Sequence, residues 1–166
     1  MSGASARSAP ARSPLHLRPA RESDAYALWL WANDPTTRDA SFGRGEIAWD
    51  SHVDWFGARL QDAGTLIAVA EAAHGRPVGT VRFETSDRWA SARLSYLVAP
   101  EARGGGLGRA IAEAGVRWVV AAHPAVRITA DVAAANERSL RIFRGMGWRE
   151  ERTPAGALIF IRDPAP

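Results

Sequence analysis

A glycine-rich segment in the second half of the chain carries residues suited to binding an anion. The segment PEARGGGLGRA, residues 100–110, places four of the fifteen glycines within five consecutive positions, just before an apolar stretch with helical periodicity. A helix N-terminus presents unpaired amide N–H groups and the positive end of the helix dipole, and glycine lets an anion approach the backbone closely. Arg103 and Arg109 flank the loop and add charged donors. The segment is therefore predicted to bind a phosphate or a pyrophosphate.

The segment matches one of three known phosphate-loop patterns. The Walker A pattern requires a lysine, whereas every one of the 21 basic residues is an arginine. The dinucleotide-binding fingerprint follows the first strand of a parallel unit, whereas the strand before this loop ends a run of three strands joined by short turns. The third pattern, Arg/Gln-x-x-Gly-x-Gly/Ala, matches residues 103–108. Because this pattern is short, a plain turn stays as the alternative until the neighbouring segments are considered.

The elements that must position the loop follow from the hydrophobic periodicity. Strands are predicted at residues 15–18, 65–72, 78–85, 92–99 and 126–132, with two more around residues 154–156. Helices are predicted from a cap at Ser23 or Asp24 to Asn33, at residues 50–61, from Leu107 to near His123, and at residues 137–146, whereas residues 36–49 are interpreted as a long loop. The predicted order is β-α-α-β-β-β-α-β-α-β-β, which indicates a mixed α/β domain.

Composition excludes several classes of function. The chain of 166 residues suits one domain, and it has no cysteine for disulfides or thiolate sites. Its four histidines show no metal-ligand spacing, so no metal is expected. The net charge is +3 with arginines scattered along the chain, which argues against nucleic acid as a partner, and no apolar run reaches the length of a membrane span. A cytoplasmic protein with a disordered tail over residues 1–14 is expected.

The loop and its neighbours together resemble the GNAT superfamily of acyl-CoA-dependent N-acyltransferases. The segment LSYLVAPEARGGGLGRAIAEAGVRW has the family's strand, its Ala-Pro-Glu-x-Arg entry, the pyrophosphate loop and the long helix. The segment ITADVAAANERSLRIFRGMGW, residues 128–148, resembles the second half of the family signature. The resemblance covers residues 15–162. It implies a single domain with a central, mostly antiparallel, twisted sheet flanked by helices, and an enzyme that uses acetyl-CoA.

The resemblance also implies roles for individual residues. The backbone from Arg103 to Arg109 would bind the pyrophosphate of CoA, the strand near Leu97 would pair with the pantetheine arm, and an amide at Leu97 or Val98 would polarise the thioester carbonyl. Asn136 matches a second cofactor patch, although it is equally a good helix cap. The cofactor-binding residues implied are Leu97, Val98, Ala99, Arg103, Gly104, Gly105, Gly106, Leu107, Gly108, Arg109, Asn136 and Ser139.

The sequence departs from the family at its usual acid and base. Phe143 stands where many members have a tyrosine that protonates the departing thiolate, and Arg93 stands where many have an acidic residue. The acceptor amine must still lose a proton before it attacks. Glu84 and His52 are the catalytic candidates. Weaker candidates are Asp131 and Tyr96, and a water-mediated base or direct attack aided by proximity is equally compatible with the sequence.

Residues 29–60 carry the features expected of the acceptor side. They resemble a subgroup that includes the acetyltransferase of the pseudaminic-acid pathway, which acetylates the 4-amino group of a nucleotide-linked sugar, although Ala32 stands where that subgroup usually has arginine. Aromatic rings suit a sugar or a base, and Arg38 and Arg44 suit phosphate. The expected substrate-binding residues are Asn33, Arg38, Ser41, Phe42, His52 and Trp55.

The resemblance leaves the acceptor open within one class of reaction. The expected partner is a small-molecule amine, in particular an amino sugar, and the alternative is a protein N-terminus or another small amine. A closed aromatic pocket would favour the sugar, whereas an open groove would favour a peptide. A non-catalytic acyl-CoA-binding module is the alternative of another class, because Phe143 and Arg93 replace the usual residues. The protein is expected to be a monomer or a homodimer.

Overall fold

A seven-stranded sheet forms the centre of the computed structural model, which describes residues 15–154 and 156–165. The predicted tail at residues 1–14 lies outside the described residues. The strands are β1 (His16–Pro19), β2 (Thr65–Glu71), β3 (Pro77–Glu84), β4 (Ser91–Val98), β5 (Arg127–Val132), β6 (Arg149–Arg152) and β7 (Leu158–Arg162). Their spatial order is β1-β2-β3-β4-β5-β7-β6. All neighbouring pairs are antiparallel except β4 and β5.

The helices cover both faces of this sheet. They are α1 (Ala25–Asn33), α2 (Pro35–Asp39), α3 (Trp49–Gln61), α4 (Leu107–Ala122) and α5 (Glu137–Gly145). Side chains alternate along β3, so Val81 and Phe83 face α4, whereas Thr80 and Arg82 face α1 and α3. The mixed α/β fold with a mostly antiparallel sheet is thereby confirmed. No helix in the described part of the chain is long and apolar enough to cross a membrane.

The crossover from β4 to β5 creates the main irregularity of the sheet. Parallel neighbours need a long connection, and α4 supplies it. The two strands pair through three registered positions only, from Ser91 opposite Arg127 to Arg93 opposite Thr129. Beyond Arg93 the strands no longer pair, so the second half of β4 has one free edge. This separation opens a cleft in the middle of the sheet.

Close packing of α4 on β3 depends on a glycine within the helix. An added Cβ at Gly115 would lie 2.7 Å from a methyl group of Val81 and 3.1 Å from the ring of Phe83. Ile111 and Val119, on the same face of α4, are fully buried. The helix is therefore held tightly against the central strands, which fixes the position of the loop that precedes it.

The prediction of a long loop at residues 36–49 was partly wrong. Residues 35–39 form α2, and α3 already begins at Trp49. Asp34 caps α2 by accepting a hydrogen bond from the Thr37 amide at 3.1 Å, and Pro35 occupies the first helical position. These start signals favour a helix even though the segment has no apolar periodicity.

Candidate active site

The cleft between β4 and β5 forms a cavity with a volume of about 660 Å³. Its walls come from residues 94–98 of β4, residues 130–139 across the end of β5 and the start of α5, and the segment 36–42 that includes α2. We call it the donor cleft. Val98 and Leu97, expected to bind the cofactor, lie in its wall.

The backbone orientation of β4 distinguishes the three residues expected to face the cofactor. Ala99 donates its amide N–H to the Val78 carbonyl at 2.9 Å, so this amide faces β3. The backbone amides of successive residues in a strand point to opposite sides. The pairing of β3 with β4 has no register shift from the pair Gly79 and Val98 onward, so the Leu97 amide also faces β3. Of the three, the Val98 amide is directed towards the free edge. The Ala99 amide thus binds the Val78 carbonyl of the neighbouring chain segment, whereas the sequence analysis expected Ala99 to bind the cofactor.

The glycine loop has the backbone conformation that only glycine adopts without strain. Gly104 has φ of +88°, and Gly106, the N-cap of α4, has φ of +71°. Gly104 and Gly105 are exposed, and an added Cβ at Gly104 would meet no atom within 4 Å. At Gly108 an added Cβ would lie 2.9 Å from Ile142 and 3.1 Å from the ring of Tyr96. The loop thus exposes its backbone while the first turn of the helix packs closely on its neighbours.

The two arginines beside the loop have different partners. Arg109 is half-exposed and donates to Glu113 at 2.7 Å along α4. Arg103 lines the donor cleft, lies 2.6 Å from Asp34 and donates to the Thr37 hydroxyl at 2.7 Å. Burial opposes the shift, but Arg103 and the Thr37 amide together hold the pKa of Asp34 below its ordinary value. Arg103 therefore ties the glycine loop to the cap of α2.

The second expected cofactor patch is built around the start of α5. Asn136 caps the helix, accepting from the Ser139 amide at 3.1 Å, and its side-chain amide donates to the Ala40 carbonyl at 3.3 Å. The Ser139 hydroxyl hydrogen-bonds the Tyr96 hydroxyl at 2.8 Å. Burial raises the pKa of Tyr96 above its ordinary value. Both Asn136 and Ser139 line the donor cleft. Asn136 therefore caps α5 and at the same time forms part of the wall of the cleft.

A second cavity, of about 470 Å³, lies on the α1 and α3 side of the sheet. We call it the acceptor cavity. It is lined by Leu28, Ala32, Thr37, Arg38, Ser41, Ile47, Ser51, His52, Trp55, Ile67, Thr80, Arg82, Ser95, Tyr96 and Leu97. Six of these residues also line the donor cleft: Thr37, Ser41, Arg82, Ser95, Tyr96 and Leu97. The two cavities thus meet at β4 and α2.

Four of the six residues expected to bind the acceptor line this cavity, namely Arg38, Ser41, His52 and Trp55. Asn33 instead holds the following loop, donating to the Ile47 carbonyl at 3.0 Å and accepting from its amide at 2.8 Å. Phe42 is 63% exposed and lies at the donor cleft. The structure therefore brings four expected residues together and places the other two elsewhere.

His52 is the better placed of the two predicted catalytic residues. It is 4% exposed, and its Nε2–H donates to the Ala25 carbonyl at 3.0 Å, which leaves Nδ1 as the acceptor nitrogen. Burial lowers the pKa of His52 below its ordinary value, while the bond to Ala25 opposes the shift. Its ring stacks on Phe56 at 5.8 Å between centroids. A neutral, oriented imidazole therefore lies in the wall of the acceptor cavity.

Glu84 is not among the residues that line the donor cleft or the acceptor cavity. Its carboxylate contacts three guanidinium groups, those of Arg93 at 3.1 Å, Arg82 at 3.4 Å and Arg59 at 3.8 Å. Arg93, in the position of the family's acid, also lies 3.7 Å from Asp131 on β5. Asp131 lines the donor cleft. Glu84 thus belongs to an ion-pair network across β3, β4 and β5.

Arg82 is a site residue that the sequence analysis missed. It lies in the walls of both cavities, 5.0 Å from the centroid of the Trp55 ring. Its Nε is buried and has no hydrogen-bond partner within the described ranges. Burial lowers the pKa of Arg82, and nearby Glu84 opposes the shift. The available signal was a pair of charged residues, Arg82 and Glu84, at alternate positions in a largely apolar central strand.

Phe143 replaces the expected tyrosine without leaving a polar group in its place. It is 2% exposed and packs at 5.1 Å from Trp148 and 5.3 Å from Phe160, measured between ring centroids. The nearby hydroxyl group is that of Tyr96, whose ring lies 6.0 Å from that of Phe143. The aromatic cluster therefore has a packing role at the floor of the donor cleft.

Solved structures with the same fold include several acetyltransferases. An N-acetyltransferase from Staphylococcus aureus Mu50 is 20% identical with a TM-score of 0.74, covering 91% of this chain and 99% of its own. A ribosomal-protein-alanine N-acetyltransferase from Brucella melitensis is 24% identical with a TM-score of 0.73, covering 89% and 99%. A spermidine N-acetyltransferase from Vibrio cholerae, in complex with CoA and spermine, is 18% identical with a TM-score of 0.76, covering 89% and 93%. At these identities the likeness demonstrates the fold.

Membership of a family rests on the sequence itself. No curated protein sequence matches significantly. Residues 14–149, however, match the family described as the acetyltransferase (GNAT) domain, which is most of the chain. The resemblance noted in the glycine loop and in the α5 region is thereby confirmed at the level of the superfamily. This protein belongs to the GNAT family of acetyltransferases.

Proposed function

We propose that the protein transfers the acetyl group of acetyl-CoA to a primary amine by direct attack in a ternary complex. The observation that carries this proposal is that the donor cleft and the acceptor cavity meet at Ser95, Tyr96 and Leu97 of β4. Two ligands, one on each side of this strand, would bring their reacting groups together there. Holding both reactants in one geometry is itself a large source of rate acceleration.

The donor side of the chain suits acetyl-CoA. The free edge of β4 suits the amides of a pantetheine arm, and the backbone from Arg103 to Arg109, exposed at the three consecutive glycines 104–106, suits a pyrophosphate at the start of α4. Acetyl-CoA would supply an activated thioester. The Val98 amide, which is directed to the free edge, would donate to the thioester oxygen as that atom gains charge. Asn136 and Ser139 would support the arm from α5.

The acceptor proposed is an amino sugar, in particular one linked to a nucleotide. The cavity suits a polyhydroxylated ligand because its wall includes the aromatic residues Trp55 and Tyr96 and several aliphatic hydroxyl groups. These belong to Thr37, Ser41, Ser51, Thr80 and Ser95. The resemblance over residues 29–60 supports the same class. A protein N-terminus or another small amine is the alternative acceptor, since neighbours in fold are named as ribosomal-protein-alanine and spermidine acetyltransferases.

Release of the CoA thiol tests the proposal. Acetyl-CoA would be offered with amino sugars, nucleotide-linked amino sugars, short peptides and polyamines. Thiol release with the amino sugars is the expected result. Acetyl-CoA binding without thiol release on any amine would instead support the non-catalytic binding module, the reading that Phe143 and Arg93 keep open.

His52→Ala and Glu84→Gln test the proton acceptor. A general base contributes about 10² to 10⁴ in rate, so loss of the base is expected to lower kcat by at least about a hundredfold. His52→Ala should show this loss because His52 lines the acceptor cavity, whereas Glu84→Gln should have the smaller effect. Glu150→Gln, on an exposed carboxylate paired with Arg144, is the control. Unaltered rates in both test variants would reject both candidates and favour water or direct attack.

A further inference from the structure

We propose that Arg82 and Arg38 form a receptor for an anionic group of the acceptor, so that the substrate class is a primary amine that also carries a phosphate or a carboxylate. The inference rests on the proposed function and narrows its acceptor. It also predicts which amines the protein rejects, because a receptor for an anion repels a second ammonium group.

The first step of the argument is the unmet hydrogen-bonding capacity of the two side chains. Within the described ranges the Nε atoms of Arg38 and Arg82 are buried and have no hydrogen-bond partner. Arg38 makes only long bonds through its other nitrogens, at 3.3 Å to the Gly45 carbonyl and at 3.3 Å to the Ser41 hydroxyl. A buried guanidinium N–H without an acceptor is unfavourable, and an oxyanion is its preferred partner.

The second step is the charge of the cavity. Among its described lining residues there are two arginines and no aspartate or glutamate. The nearest carboxylate to Arg82, that of Glu84, is shared with Arg59 and Arg93. The lowered pKa of His52 keeps that imidazole neutral at pH 7, so it adds no charge of either sign. The described lining of the cavity is therefore positive, and a partly buried positive site attracts anions and repels cations.

The third step is the rigidity of the receptor. Arg82 projects from a central strand, and its guanidinium is held 5.0 Å from the Trp55 ring centroid. Arg38 lies on α2, which Asp34 caps and Arg103 ties to the glycine loop. A side chain that is already ordered loses little conformational freedom when it binds. Both arginines line the acceptor cavity, and Arg82 also reaches the junction with the donor cleft.

Matched acceptors test the receptor. Glucosamine and glucosamine 6-phosphate share an amine and differ by one phosphate, muramic acid supplies a carboxylate, and spermidine supplies extra positive charge. We expect kcat/KM to be at least about tenfold higher for glucosamine 6-phosphate than for glucosamine, and spermidine to be the poorest acceptor. The carboxylate arm distinguishes a general oxyanion receptor from one specific for phosphate. Equal kcat/KM for the charged and uncharged sugars, or a preference for spermidine, would overturn the inference.

Variants connect the preference to the two side chains. Arg82→Gln and Arg38→Gln should each raise KM for glucosamine 6-phosphate about tenfold and change KM for glucosamine by less than about twofold. Arg82→Lys retains the charge and should lose less. Arg127→Gln, on an exposed arginine paired with Asp163, is the control, and thermal melting verifies that each variant folds. A preference for the phosphate that survives both Gln substitutions would overturn the assignment.

A binding measurement separates this inference from the proposed function. If no amine releases thiol, the proposed function fails, and calorimetric titration of glucosamine 6-phosphate into the CoA-loaded protein still tests the receptor. Binding that weakens in Arg82→Gln supports the receptor. The receptor is rejected if glucosamine 6-phosphate does not bind to the unsubstituted protein, or if it binds equally well to the unsubstituted protein and to Arg82→Gln.

Discussion

At the scale of single residues, the site combines polar groups that have protein partners with polar groups that lack them. Asn136 and Asp34 take part in helix caps and in an ion pair, whereas the buried Nε atoms of Arg38 and Arg82 have no hydrogen-bond partner within the described ranges. The first kind builds the cavities, and the second is available for a ligand. A residue's role therefore depends on whether its hydrogen-bonding capacity is already used.

Asn136 permits a test of the capping role against a cofactor role. Asn136→Ala removes the cap of α5 and is expected to lower the free energy of unfolding by about 1 kcal/mol. Asn136→Asp retains an oxygen for the Ser139 amide and should recover this stability, while it loses the donor to the Ala40 carbonyl. Urea denaturation measures the first effect, and calorimetric titration with acetyl-CoA measures the second. Weakened acetyl-CoA binding in Asn136→Asp would show that the side-chain amide acts beyond the cap.

At the scale of elements, helix packing determines where the two cavities lie. The short α2 contributes to both, and it is held by Arg103 from the glycine loop and by Asn136 from α5. On the opposite face of the sheet, α4 approaches β3 closely enough to exclude a side chain at Gly115. The position of the glycine loop thus follows from the packing of the helix behind it.

Two glycine substitutions within helices test this packing. Gly115→Ala places a methyl group 2.7 Å from Val81, and overpacking of about 1 to 3 kcal/mol should exceed the gain of about 1 kcal/mol in helix propensity. Gly57→Ala in α3 meets no atom within 4 Å, so it should raise stability by up to about 1 kcal/mol. Urea denaturation of both variants measures the difference. A Gly115→Ala protein as stable as Gly57→Ala would mean that α4 is free to shift outwards.

At the scale of the whole molecule, the donor cleft and the acceptor cavity meet in the middle of the sheet, where we propose that the reaction takes place. The central strand β4 has one face and one free edge that lead to different cavities. This arrangement depends on the short parallel pairing of β4 with β5. Beyond Arg93 the two strands diverge, so the backbone groups on that edge of β4 have no partner strand and face the donor cleft. His52 in the wall of the acceptor cavity also affects the stability of the whole molecule, because its burial opposes protonation in the folded protein.

The stability of the protein should decrease in mild acid because of His52. Its pKa is lowered in the folded protein, so below pH 6.5 the unfolded chain binds a proton that the folded protein excludes. The stabilisation is fully present above the unfolded pKa and is lost as the pH falls towards the folded value, with a slope of at most about 1.4 kcal/mol per pH unit. Urea denaturation between pH 8 and 5 measures it. An equal slope in His52→Gln would contradict the assignment to His52.

The sequence by itself determined the family, the order of most elements and the glycine loop, because those depend on local periodicity and on residues that are neighbours in the chain. It missed α2, whose cap and Pro35 are local signals in a segment without apolar periodicity. The tertiary structure decided which amide of β4 faces the cleft and that Asn33 bonds to the loop at Ile47. It also decided that Arg82 and Arg38 line the same cavity. These facts depend on strand register and on contacts between residues that are distant in sequence, and no local pattern records them.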